Sequence, residues 1–277
     1  MLNFKVNDGR CNRCGLCALD CPAYIVEQEG DSLPFVSAEN EEKCLECQHC
    51  LAVCPTGAIS VFGLNPDESL PLSADVWPTV DQMTRLVRGR RSVRKYTDRN
   101  VDPKLIAELL ATTANSPTGV NNRMLTFTVV DDKEQLHRLR EKVLAALVKA
   151  DSEHRIPERF AYVQNAISAH VEHHLDVIFR GAPHVLIVSA PPQSPCATED
   201  VPIALAYFEL LAQSAGLGTV WCGLLRLAFE SAPELKSLVG LPPGHHYYAM
   251  LFGYPAIHHA RTVQRDAAAK VRRVTID

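Results

Sequence analysis

Two cysteine runs constrain this chain more than any other feature. Cys11, Cys14, Cys17 and Cys21 precede Pro22, and Cys44, Cys47, Cys50 and Cys54 precede Pro55 with the same spacing. A three-residue step brings successive thiolates around one tight loop, where three of them can hold three corners of an iron–sulfur cube. The fourth cysteine, leading into proline, points away from that loop and serves the other cube. The expected ligand sets are therefore Cys11, Cys14, Cys17 and Cys54 for one 4Fe–4S cluster, and Cys44, Cys47, Cys50 and Cys21 for the second. Structural zinc is the plainer reading of paired CxxC knuckles, but it gives no reason to repeat a third cysteine and a Cys-Pro. Disulfides are disfavoured by the same regularity, and metal-binding thiols suit a reducing cytoplasm.

Residues 3–63 closely resemble the bacterial two-cluster ferredoxins, and Ala58-Ile59 after the second Cys-Pro fits that family too. One departure is Gln48 after Cys47, where glycine is frequent and where the first half has Gly15. Residues 1–63 carry four Lys/Arg against nine Asp/Glu, whereas the rest of the chain is almost balanced. A compact acidic module joined to a near-neutral one is the expected organisation. The net charge of −4 gives no reason to expect nucleic acid or an anionic membrane as partner. The opening Met1-Leu-Asn-Phe-Lys-Val-Asn-Asp lacks the apolar stretch of a secretory signal, and the longest apolar runs are too short to span a bilayer. A cytoplasmic location is expected.

Residues 64–78 contain three prolines without periodicity and read as a linker between a 1–63 domain and a 79–277 domain. In the latter, Thr79 caps a helix to about Arg88, stopped by Gly89. Asp102-Pro103 opens another helix, with Leu105, Ile106, Leu109 and Leu110 at helical spacing. Leu125–Val130 and His184–Ser189 read as strands, and Glu134–Lys149, residues 151–180 and Val201–Ala215 as helices. Two short strands are expected near Val220–Leu225 and Tyr247–Gly253. The fold class is α+β: a small two-cluster module, then a mixed sheet flanked by helices.

Arg88-Gly-Arg90-Arg91-Ser92-Val-Arg94 concentrates guanidinium groups and a hydroxyl, a combination suited to phosphate oxygens. Alone, such a run is more often a solvated basic face. It is followed in order by Ser-Pro-Thr-Gly-Val-Asn (116–121), Gly-Leu-Gly-Thr-Val-Trp-Cys-Gly (216–223), Gly253-Tyr-Pro255 and a basic tail with Arg261 and Arg265. This ordered set resembles the nitroreductase family of homodimeric FMN enzymes over residues 79–277. The resemblance implies that Arg90, Arg91 and Ser92 hold the FMN phosphate, helped by Arg265 and by Arg94 or Arg261. It implies that Pro117, Thr118, Gly119 and Asn121 reach the flavin of the partner subunit. Trp221, Cys222, Gly223 and Leu224 would run beside the isoalloxazine, a backbone N–H facing N5. Arg123-Met124-Leu125 stands where many relatives read Gln-Pro-Trp, and residues 151–180 show no counterpart of the family's other polar flavin contacts.

Other signals are weaker. His170, His173 and His174 lack a completing cysteine or carboxylate and read as a solvated face. Cys196 and Cys222 read as plain thiols. Gly216-x-Gly218 follows a helix and is not a dinucleotide fingerprint. The expected function is electron relay between the two clusters and FMN. The acceptor would be a small molecule such as a nitroaromatic, quinone or activated alkene, and the donor a ferredoxin-like protein or NAD(P)H. No catalytic side chain is expected, because the cofactor carries the chemistry. The alternatives are a non-catalytic redox sensor or electron carrier, and an FMN enzyme of the flavin-fragmenting or dehalogenating type.

Overall fold

A computed structural model describes residues 2–265 and 269–276; the expected domain limits at 1 and 277 lie outside them. The chain forms two compact units. The first comprises Met1–Trp77 together with Thr118–Arg123, and the second Pro78–Pro117 and Met124–Asp277.

In the first unit, β1 (Lys5–Val6) pairs antiparallel with β2 (Ile59–Ser60). Between them lie two short helices, α1 (Leu16–Leu19) and α2 (His49–Ala52), each starting just after the second cysteine of its run. A small core of Leu2, Ile25, Val26, Leu51, Ile59 and Val61 lies beside Cys17 and Cys21. The cysteine duplication extends to the backbone. Arg13, Gly15, Tyr24 and Gly30 have positive φ, and so, at the Cys11-to-Cys44 offset, do Glu46, Gln48, Gly57 and Gly63. Gly15 (φ 72°) and Gln48 (φ 61°) thus occupy equivalent left-handed N-caps. The stretch expected to be a linker from residue 64 belongs to this unit as far as Trp77. Arg10 clamps it by donating to both carboxylate oxygens of Asp67, at 2.8 and 3.0 Å.

The second unit opens with α3 (Val80–Gly89), where Thr79 and Gln82 form a reciprocal capping box, as the Thr79 signal implied. Then follow α4 (Pro103–Thr113), β3 (Thr126–Val130), α5 (Lys133–Ser152) and α6 (Ala161–His173). The remainder is β4 (His184–Ala190), α7 (Ala197–Ser214), β5 (Gly218–Trp221), α8 (Gly223–Ser231) and β6 (His246–Gly253). The sheet order is β3-β4-β6-β5. All three strand pairings are antiparallel, and the parallel component expected of a mixed sheet is the single bridge Ser92–Thr219.

Alternation along β4 and β6 explains why both strands read as unbroken apolar runs. Val185, Ile187, Ala249 and Leu251 face a core with α5, α6 and α8, whereas Leu186, Val188, Met250 and Phe252 face one with α4 and α7. The sheet is covered on both sides. The strand expected over Val220–Leu225 is corrected: it ends at Trp221, and Gly223 begins α8. A short apolar run does not by itself distinguish a buried strand from a buried helix. Helix α7 likewise starts at Ala197, earlier than expected, and carries Pro202 as its sixth residue, where proline removes one intrahelical hydrogen bond.

Candidate functional site

Each unit has candidate sites of its own. In the first, Cys11, Cys14, Cys17 and Cys54 line one cavity, together with Gly15, Thr56 and Ile59. Cys21, Cys44, Cys47 and Cys50 line another, with Pro22, Leu45 and Gln48. Each cavity therefore takes three cysteines from one run and the last cysteine of the other. Among the described residues, no three His, Cys, Asp or Glu side chains come together as they would around a single metal ion. Four thiols spread around a cavity wall match the corners of a cube.

Mutual electrostatics follow the same grouping. Burial pushes the Cys50 thiol up to about 11, and Cys21, Cys47 and Cys44 add to the rise. Burial also raises Cys17, with Cys54 and Cys11 contributing, and raises Cys44, with Cys47 and Cys21 contributing. Cys54 behaves differently. Burial pushes its thiol up, but hydrogen bonds from the Ala58 and Thr56 groups outweigh this and leave it below the ordinary value. The Ala58 N–H donates to Cys54 Sγ at 3.2 Å, and the Glu46 N–H to Cys44 Sγ at 3.4 Å. Thiolates that must carry metal are held by such donors.

In the second unit, the arginine segment is anchored to β5. Ser92 bridges to Thr219, and the Val93 N–H donates to the Thr219 carbonyl at 2.8 Å. This pairing is possible because Gly218 has no side chain: a Cβ there would lie 2.4 Å from Val93 Cγ2. Residues on either side of the bridge serve different cavities. Arg88, Arg90 and Arg91, with Val87, Val263 and Arg265, line a cavity of about 600 Å³. Arg90 is oriented by Glu209, whose carboxylate accepts at 3.0 Å and also accepts from Thr219 Oγ1 at 3.3 Å.

Arg94 instead lines a cleft of about 380 Å³ with Trp221, Cys222, Gly223, Leu224 and residues of α6, β6 and the loop between α6 and β4. The structure separates Arg94 and Arg261, both expected near the phosphate. Arg94 is at the cleft, and Arg261 is exposed and lines neither cavity. At the cleft, Trp221 and Tyr248 make an edge-to-face pair at 5.5 Å. An added Cβ at Gly223 would meet Tyr248 Oη at 3.0 Å, so a side chain there would require the tyrosine to give way by a few tenths of an ångström. Gly223 and Leu224 open α8, where helix N–H groups lack intrahelical acceptors.

The cleft also contains Tyr162, Val177, Ile178 and Arg180, all from the region without recognisable motif. Nothing local signals them: Tyr162 lies on a helix of ordinary pattern, and Arg180 in a turn before Gly181. Cys222 is a plain buried thiol. Burial pushes it up to about 12, and its Sγ donates to the Ile178 carbonyl at 3.3 Å.

The 116–121 motif is divided by the structure. Pro117 belongs to the second unit and is exposed, but Thr118, Gly119 and Asn121 belong to the first. The Asn121 amide donates to the Leu45 carbonyl at 2.8 Å. Of the histidines set aside earlier, His173 and His174 are exposed, His173 standing beside Glu172 at 3.7 Å.

These features define an α+β oxidoreductase fold preceded by a cysteine-rich cluster module. The chain belongs to the nitroreductase family, whose sequence model matches residues 87–254. Residues 10–59 match the 4Fe–4S dicluster domain. A ferredoxin-like protein in the nif region of Sinorhizobium fredii is 33% identical over 58 residues, which span 84% of that protein and 19% of this chain. A Methanothermobacter thermautotrophicus protein, provisionally named NADH dehydrogenase/NAD(P)H nitroreductase, is 28% identical over 175 residues, covering 61% of this chain and 75% of its own. Human iodotyrosine deiodinase 1 is 26% identical over 208 residues, 68% of each chain. Among solved structures, a nitroreductase with bound FMN from Bacteroides fragilis superposes with a TM-score of 0.55 at 23% identity, over 69% of this chain and 99% of its own.

Proposed function

We propose that this chain is an iron–sulfur flavoprotein oxidoreductase that binds two 4Fe–4S clusters in its first unit and FMN in its second. The observation carrying the flavin reading is the shared anchoring of two cavities on β5. Arginines 90 and 91 line one, and Arg94 and Trp221–Leu224 line the other. A phosphate fits the first, through the forked guanidinium groups of Arg90 and Arg91 with Arg265 beside them. A flat ring system fits the second, whose volume lies in the usual range for small-ligand pockets. Ser92 acts through its backbone bridge to Thr219, which fixes the position of both arginine groups.

When bound, the clusters carry single electrons and the flavin exchanges them, as a hydride or singly, with a small acceptor. The protein's contribution is electrostatic and steric. Arg94 and Arg180 bring positive charge to the cleft, which favours a ring carrying negative charge. Gly223 and Leu224 offer backbone N–H groups to a ring nitrogen. Trp221, Tyr248 and Leu227 supply apolar cover. No protein acid is assigned, and water can supply the proton. Nitroaromatics, quinones and activated alkenes are the acceptors proposed, with a ferredoxin-like protein or NAD(P)H as donor.

A homodimer is the proposed assembly. Val80, Met83 and Val87 form an apolar stripe on α3 that is exposed along its length, no residue of that helix being buried. Val271, Val274 and Ile276 near the C-terminus are exposed as well. A second copy of the chain would cover these side chains. Among the described residues no helix is long and apolar enough to cross a membrane; a cytoplasmic location is proposed on the thiol chemistry.

Protein purified without air is expected to contain iron, sulfide and FMN, with cluster and flavin absorption both bleached by dithionite. Two clusters with no flavin, and no uptake of added FMN, would overturn the flavin reading. Rapid mixing with NADH, NADPH or reduced ferredoxin identifies the donor as the one that bleaches flavin first. The deiodinase relative favours one second reading, reductive dehalogenation of a halogenated aromatic; halide release with a halotyrosine substrate separates the two.

A further inference from the structure

Thr118–Arg123 is a short excursion of the chain into the first unit, flanked on both sides by residues of the second. Its Asn121 Nδ2 donates to the Leu45 carbonyl at 2.8 Å. That carbonyl and the Glu46 N–H are the two ends of one peptide group. The Glu46 N–H in turn donates to Cys44 Sγ at 3.4 Å. The result is a three-member chain: carboxamide N–H to peptide oxygen, then peptide N–H to cysteine sulfur. Hydrogen bonds in series polarise one another, so a donor on the carbonyl makes the amide at the other end of the peptide a better donor. The peptide is planar and rigid, which also fixes the direction of that N–H. Glu46 itself has φ 52°, so the loop around it depends on outside restraint to keep this geometry.

We propose that Asn121 is a positioning residue that raises the reduction potential of the cluster held by Cys44, Cys47, Cys50 and Cys21, acting through the Leu45–Glu46 peptide. The inference rests on the cluster reading above. A donor to a ligand sulfur offsets the negative charge added on reduction, so strengthening it favours the reduced state. The other cluster has a separate donor set at Cys54, where the Ala58 N–H donates and the Thr56 hydroxyl lies 3.7 Å from the sulfur. A segment inserted between elements of the flavin-type unit thus sets a property of one cluster and leaves the other alone.

The test is an anaerobic potentiometric titration of the full-length holoprotein, followed by electron paramagnetic resonance, with iron and sulfide counted in each variant. In Asn121→Ala and in the isosteric Asn121→Asp, which has no donor, one of the two midpoints is expected to fall and the other to hold. The expected size is a loss of up to tenfold in the equilibrium constant for electron uptake, or about 59 mV for a one-electron couple. Asn121→Gln, which keeps the carboxamide, should recover part of the shift. Thr56→Ala should move the other midpoint, which assigns the two. Unchanged midpoints in both Asn121 variants would overturn the proposal, as would equal movement of both midpoints. So would loss of iron and sulfide in Asn121→Asp, which would make the residue a structural clamp only. A wild-type protein without clusters would instead sink the underlying reading.

Discussion

Arg90 and Glu209, 119 residues apart in sequence, meet with Nη1 and Oε1 at 3.0 Å, joining the arginine segment to helix α7. The Glu209 side chain is only 10% exposed, so Arg90 offsets the cost of burying its carboxylate. Removing Arg90 leaves a nearly buried carboxylate with one hydroxyl donor. In flavin-free protein, Arg90→Ala should cost about 2 kcal/mol of stability, between the values for exposed and fully buried pairs. Arg90→Ala combined with Glu209→Gln should recover much of that loss. Arg91→Ala should weaken FMN retention while changing stability by less than about 0.5 kcal/mol. Urea unfolding and equilibrium dialysis with FMN check both halves.

Gly218 has the least room of any glycine in the second unit. Its missing Cβ would sit 2.4 Å from Val93 Cγ2 and 2.7 Å from Val93 Cβ. Gly218→Ala should therefore destabilise by about 1–3 kcal/mol, the usual range for overpacking. It should also weaken FMN binding, because the bridge between Ser92 and Thr219 is displaced. Combining it with Val93→Ala should restore part of both properties, measured as a double-mutant cycle.

Gln48 adopts the left-handed backbone that glycine takes at position 15. An L side chain there costs about 1 kcal/mol relative to glycine. Gln48→Gly should stabilise the first unit by an amount of that order. The readout is slower anaerobic release of iron in urea.

His184 introduces a pH dependence unrelated to the clusters. It is fully buried on β4, and its Nε2 accepts from the Val101 N–H at 2.8 Å. Burial pushes the imidazole down to about 4, against the opposing pull of Asp131 and Asp132. A depressed histidine must stay neutral in the folded state but takes up a proton when unfolded. Stability from this group is complete above pH 6.5, falls with pH below that, and is lost by about pH 4. Between pH 6.5 and 5 the change should be roughly 2 kcal/mol. His184→Gln lowers stability at neutral pH but should flatten this slope, as read from urea midpoints at several pH values.

The sequence by itself determined the elements whose information is local. Two identical runs of closely spaced cysteines, each closed by Cys-Pro, carry their signal in the spacing itself, so the two cluster runs were readable without any fold. The Thr79 cap and the spacing of Leu105, Ile106, Leu109 and Leu110 gave α3 and α4 for the same reason: neighbours along a helix are neighbours in sequence. The run of guanidinium groups from Arg88 to Arg94 carried the expectation of an anion site, but not which arginine goes where. Only the tertiary structure separated Arg90 and Arg91 from Arg94, since the pairing of Ser92 and Val93 with Thr219 depends on a strand more than a hundred residues away. The same holds for Tyr162 and Arg180 in the cleft and for Asn121 at Leu45. Such contacts are made by residues distant along the chain, and no spacing rule encodes them.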